Sequence, residues 1–177
     1  VLFLIDVSGS LVEDYEGNDQ SHLFRSIIKD VVKKIEEMEF KEFAICGFGG
    51  WQNLKPRLPQ YPKSVFSGFH WEEGTLVNRE KAIQFVQGLQ AGGATPTGAA
   101  VEQALELKGP MTCLLYSDGV PTIGKGGQAK VLELAKSLKK HGATLNTIGV
   151  GSLSAENEEF DWTGGQFLAE LAQITGG

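Results

Sequence analysis

The stretch Val1-Leu2-Phe3-Leu4-Ile5-Asp6-Val7-Ser8-Gly9-Ser10 decides the fold. Its first half is an unbroken apolar run with no alternation, the pattern of a strand covered on both faces. Its second half turns polar at once, with an acid and two hydroxyls at alternate positions. Three more runs of the first kind follow at Phe43 to Phe48, Met111 to Ser117 and Thr144 to Val150. Helical spacing fills the intervals. Leu23, Ile27, Val31 and Ile35 recur every four residues, with Phe24, Ile28 and Val32 beside them, giving one apolar stripe on an amphipathic helix. Ile83, Val86 and Leu89 mark a second helix, with Asn78 as the expected N-cap. Val101, Ala104 and Leu105 mark a third. A fourth carries Val131, Leu134, Ala135 and Leu138 and closes at Gly142. Phe167, Leu168, Leu171 and Ala172 mark the last. Strands alternating with helices predict an open, mostly parallel α/β sheet with helices on both faces.

The irregular stretch Gly49 to Val77 is too long for a simple connection and predicts a structured excursion with a short edge strand near Lys63 to Phe66. Its aromatics Trp51, Phe69 and Trp71 are expected to pack on the body rather than form a binding surface. Cys46 and Cys113 fall inside predicted central strands and are expected as small buried thiols. His141 is expected at a helix C-terminus, where positive charge is favourable.

Composition narrows the function. The 177 residues carry 16 Lys and Arg against 22 Asp and Glu, a net charge of −6, which argues against a nucleic-acid backbone as partner. The chain can bury about 70% of its unfolded surface, so it needs no disulfide or structural metal for its core. No apolar run approaches the roughly 20 residues of a membrane-spanning helix, so no direct membrane insertion is expected. The opening run has no charged lead or cleavage-site pattern and is not expected to be a secretory signal. It also lacks an initiator Met, so the expectation is one domain over 1–177, cut from a longer chain.

Ligands in such sheets bind outside the carboxyl ends of the strands, where strand order reverses. Three polar loops fall there: Asp6-Val7-Ser8-Gly9-Ser10, Gly92-Gly93-Ala94-Thr95-Pro96-Thr97-Gly98, and Ser117-Asp118-Gly119. Two carboxylates and several hydroxyls, all oxygen donors, suit a hard cation such as Mg²⁺, Mn²⁺ or Ca²⁺. No Cys or His competes for it, which argues against zinc. With two carboxylates and otherwise neutral hydroxyls, such an ion stays short of anionic donors and seeks an external one. Singly, Asp6 and Asp118 would read as turn formers. Ser10 and Thr97 suit helix capping, with Thr97 expected as a cap or as a donor behind the ligands rather than as a ligand, and Glu13 with Asp14 reads as a solvated acidic turn.

In this order and on these elements, Asp6-x-Ser8-x-Ser10, Thr95-x-Thr97-Gly98 and Ser117-Asp118-Gly119 resemble the metal-ion-dependent adhesion site of a von Willebrand factor A domain. The resemblance covers essentially the whole chain and includes the Phe-x-x-Glu-Leu-Ala-x-x-Thr-Gly-Gly pattern at Phe167 to Gly177. Asn78 through Ala104 resembles bacterial members more than animal integrin inserted domains. Leu11 stands where members often carry Met, a conservative change. The resemblance implies a Rossmann-like sheet with one short antiparallel edge strand. It implies Asp6, Ser8, Ser10, Thr95 and Asp118 as metal ligands, some direct and some through water. A further edge strand usually follows the Thr-Gly-Gly pattern in the family, and this sequence stops at Gly177.

The expected function is therefore a binding module rather than an enzyme, its ion coordinating an acidic side chain of a partner protein. The competing reading is a metal-dependent phosphotransferase or hydrolase with an aspartyl nucleophile. It is disfavoured because Ser8 stands where the second acid would be needed. A serine nucleophile would need a partnered His, and no Walker A or Gly-x-Gly-x-x-Gly pattern is present. A purely structural role ranks last, since all five positions carry competent oxygen donors.

Overall fold

The computed structural model describes residues 1–14, 16–49, 63–107, 109–119, 127–151 and 163–177. Strands β1 (Leu2–Asp6), β2 (Glu42–Phe48), β5 (Thr112–Ser117) and β6 (Thr144–Gly149) lie where the four apolar runs place them. Two short strands, β3 (Lys63–Val65) and β4 (Glu72–Glu73), lie within the excursion. The sheet order is β3-β2-β1-β5-β6, with β4 also on β2. β1 pairs in parallel with β2 and β5, β5 pairs in parallel with β6, and β3 and β4 run antiparallel to β2. The expected edge strand is therefore β3. β4 was not expected, because Glu72-Glu73 carries no apolar signal.

Alternation along β1 feeds two cores. Leu2 and Leu4 point to one face of the sheet, Phe3 and Ile5 to the other, and all four are fully buried. Helices α1 (Ser21–Glu37) and α2 (Leu76–Gln87) cover the Phe3 face with Ile27, Val31, Ile35, Ala82 and Val86. Helices α3 (Thr97–Glu106), α4 (Gly127–Lys140) and α5 (Gly164–Thr175) cover the Leu2 face, burying Val101, Val131, Phe167 and Leu171. Phe69 and Trp71 pack half-buried against that face, as expected. Trp51 lies outside the described residues. Cys46 and Cys113 are buried free thiols.

Helix ends follow local chemistry. α2 corrects the expected cap. Thr75, not Asn78, is the N-cap, its side chain accepting from the Asn78 N–H at 3.3 Å. Asn78 lies inside the first turn and donates its side-chain amide to the Glu73 carbonyl at 3.1 Å. α4 ends as expected at Gly142, whose φ of +79° is left-handed. The His141 ring Nδ1 lies 2.8 Å from the Ser137 carbonyl in the last turn. α5 opens with a reciprocal capping box between Thr163 and Gln166.

The parallel strands place all their amino ends along one edge. There the Val1 ammonium donates to the Glu42 carbonyl at 2.9 Å, and Gly177 closes against the Leu145 carbonyl. At the opposite edge, connections leave β1 toward β2 on one side, while β5 lies on the other. The crevice between the carboxyl ends of β1 and β5 is the switch point of the sheet. No helix among the described residues is long and apolar enough to cross a membrane.

Candidate functional site

β1 delivers Asp6 to the switch point fully buried. The chain turns there because the Ser8 N–H donates to Asp6 Oδ1 at 2.8 Å. A short 3₁₀ turn, Gly9–Leu11, follows and leads toward α1. The Ser8 and Ser10 hydroxyls lie 3.2 Å apart on one side of it. Two backbone bonds fasten the glycine loop alongside. The Gly9 N–H donates to the Gly93 carbonyl and the Gly92 N–H to the Val7 carbonyl, each at 2.8 Å. A Cβ on Gly9 would lie 3.1 Å from the Gly93 carbonyl oxygen, so the two loops approach closely only because that position has no side chain. The same fastening brings in Thr95, which is buried, two residues beyond Gly93.

β5 completes the crevice. The Ser117 hydroxyl donates to Asp6 Oδ2 at 2.7 Å and accepts from the Gly119 N–H at 3.2 Å. Asp118 is hydrogen-bonded by Ser10. The structure thus brings Asp6, Ser8, Ser10 and Asp118 together, with Thr95 in the loop tied to them. The Ser117 contact with Asp6 is one that the sequence does not reveal. In the sequence Ser117 is simply the residue before the acid, and nothing in its type signals a bond to a strand 111 residues away. Of the two roles expected of Thr97, it does not serve as the cap of α3, which is Pro96. It lies in the first turn of α3, buried, and its hydroxyl has no hydrogen-bond partner among the described residues. Ser10 likewise caps no helix, being inside the 3₁₀ turn. The Glu13–Asp14 segment is a solvated turn, as expected. Asp14 accepts from the Glu16 and Asn18 N–H groups, at 2.9 and 2.8 Å.

The electrostatics are unusual for a turn. Burial, with repulsion from Asp118 second, pushes the Asp6 carboxyl from 3.8 to about 7, against the pull of the Ser8 and Ser117 bonds. Burial raises Asp118 as well, opposed by the Ser10 bond. Neither acid has an ion-pair partner among the described residues. Two buried like charges without a counter-ion are costly. A hard cation would remove that cost, and the orphaned Thr97 hydroxyl is one more polar atom without a use in the bare protein. The oxygen donors therefore fit a divalent cation. Among the described residues no three His, Cys, Asp or Glu side chains gather to hold a metal, so most donors would have to be hydroxyls.

Sheet order, helices on both faces and a carboxylate–hydroxyl crevice at the switch point define a Rossmann-like α/β domain with an oxygen-lined site. The chain belongs to the von Willebrand factor type A domain family, whose profile it matches over residues 1–172. Domains of this family are typically adhesion and protein-interaction modules and commonly bind a divalent metal. Solved structures share the fold. A von Willebrand factor type A protein from Catenulispora acidiphila is 18% identical with a TM-score of 0.72, the match covering 98% of this chain and 36% of that one. An aerotolerance-related membrane protein from Bacteroides fragilis is 16% identical with a TM-score of 0.67, covering 99% and 87%. The manganese-loaded TRAP protein of Plasmodium vivax is 16% identical with a TM-score of 0.58, covering 98% and 72%. Comparison with curated protein sequences finds no significant match.

Proposed function

We propose that this domain is a divalent-cation-dependent protein-binding module, with Asp6, Ser8, Ser10, Thr95 and Asp118 as its metal ligands. The observation that carries the reading is the buried Asp6 carboxylate facing Asp118 among hydroxyls, with no cationic side chain among the described residues to neutralise the pair. When bound, Mg²⁺ or Mn²⁺ would supply a Lewis-acidic position that an acidic side chain of a partner could fill. The chain's own residues do the positioning. Ser117 and the Ser8 N–H orient the two Asp6 oxygens, and the Gly9–Gly93 bond holds the Thr95 loop against the first one. No His, Cys or Lys lies among these donors to act as base or nucleophile, which favours binding over turnover. The manganese-loaded neighbour supports a divalent ion on this fold.

The test is a titration of chelator-stripped protein with Mg²⁺, followed by melting. Metal at 100 times its dissociation constant should stabilise the fold by about 2.7 kcal/mol. Asp118→Ala should lose that response and keep its far-UV circular dichroism. An unchanged melting curve with Mg²⁺, Mn²⁺ and Ca²⁺ alike overturns the proposal.

A further inference from the structure

A second surface lies along α1, away from the strand-end crevice. Ile27, Val31 and Ile35 are the buried row of this helix. Phe24, Ile28 and Val32, one row round, pack on the core but stay partly exposed. With Leu89, just past the end of α2, they floor an open groove of about 600 Å³. Arg25, Lys29 and Lys33 repeat at the same four-residue step along its wall. These cations are weakly engaged. Arg25 donates to Ser21 on its own helix at 2.7 Å. Lys33 meets Glu37 at 3.9 Å with both side chains more than 60% exposed, a pair of little energetic weight. Lys29 has no ion-pair partner among the described residues. Glu36 is the single acid in the lining. A row of three cations along an apolar trough is conspicuous on a chain of net charge −6.

We propose that this groove docks an acidic amphipathic helix of a partner protein. The apolar floor would take the partner's i, i+3/i+4, i+7 side chains, and the cationic wall its flanking Asp and Glu. The floor from Phe24 to Val32 rises about 12 Å along α1, which matches roughly two turns of a docked helix. Its recess between α1 and the end of α2 suits a rod better than a flat membrane surface, which would meet only the rim. The groove is independent of the metal reading, since none of its residues belongs to the strand-end loops.

The test uses a fluorescein-labelled helical peptide of about four turns, with leucines at those spacings and glutamates on both flanks. Its control is an otherwise identical peptide with lysines in place of the glutamates. Fluorescence anisotropy with the whole chain should show the glutamate peptide binding at least about tenfold more tightly than the lysine one. Added salt should weaken it, and exchanging Mg²⁺ for chelator should leave it unchanged. The exposed double substitution Lys29→Glu with Lys33→Glu should reverse the preference while leaving the melting temperature intact. Equal binding of both peptides, no binding of either at millimolar concentration, or an unaltered preference in the double variant overturns the proposal. Capture by phosphatidylserine vesicles with no binding of either peptide also overturns it, in favour of a membrane contact.

Discussion

Asp6 has both carboxylate oxygens engaged, one by a backbone N–H and one by the Ser117 hydroxyl, yet its proton is held to about pH 7. The sign of the resulting pH dependence follows. An unfolded aspartate has lost its proton above 3.8, while folded Asp6 keeps it until about 7. Over that interval the folded state binds more protons, so this group's stabilisation is full at low pH and is lost as pH rises. In chelator, the urea midpoint should therefore fall between about pH 5 and about pH 7 and then level off, and Asp6→Asn should flatten the fall. The carboxylates held low by their hydrogen bonds, Asp14, Asp19 and Asp30, finish titrating below that window. Metal must displace the proton, so apparent Mg²⁺ affinity should rise by up to about tenfold per pH unit and level off above about pH 7. A midpoint that climbs across the same window contradicts the assignment of Asp6. At this scale the sequence exposed the donors, because an acid that ends an apolar run stands out. It did not expose what holds them. Ser117 and Thr97 are ordinary polar residues until the fold sets one against Asp6 and leaves the other without a partner among the described residues.

Among the elements, the strands were the most legible, because burial on both faces leaves a run that no surface segment imitates. β4 was not legible, since two glutamates pair with β2 through backbone alone. The cap of α2 is not legible in sequence because Thr75 and Asn78 are both good caps by type, and the choice depends on where the chain leaves extended geometry. The junction of β5 with α5 was invisible too. Gly119 and Gly164 meet so closely that a Cβ on Gly164 would lie 2.8 Å from Gly119 Cα and 3.1 Å from the Asp118 carbonyl. Alanine has the better helix propensity by about 1 kcal/mol, but here the clash is with backbone and cannot relax cheaply. Gly164→Ala should destabilise the fold by about 1–3 kcal/mol in urea titration. It should also weaken the Mg²⁺ response by displacing the Asp118 turn. A variant as stable and as metal-responsive as the parent would show that the two backbones are free to separate.

For the whole molecule, one sheet serves two cores, and every β1 side chain from Leu2 to Ile5 belongs to one or the other. Neither core closes without the shared strands. Ile35→Ala on the α1 face and Leu171→Ala on the α5 face should each cost about 2–5 kcal/mol. Both should shift the same single transition by circular dichroism and by near-ultraviolet absorbance. A biphasic curve in either variant would mean that the two faces unfold separately. The placement of the ends adds a mechanical property. Val1 and Gly177 are anchored at the amino edge of the sheet, and the oxygen-lined loops rise from the carboxyl edge. A pull applied between Val1 and those loops runs lengthwise along β1. Its ladders to β2 and β5 then carry the load side by side, in shear, rather than parting one bond at a time.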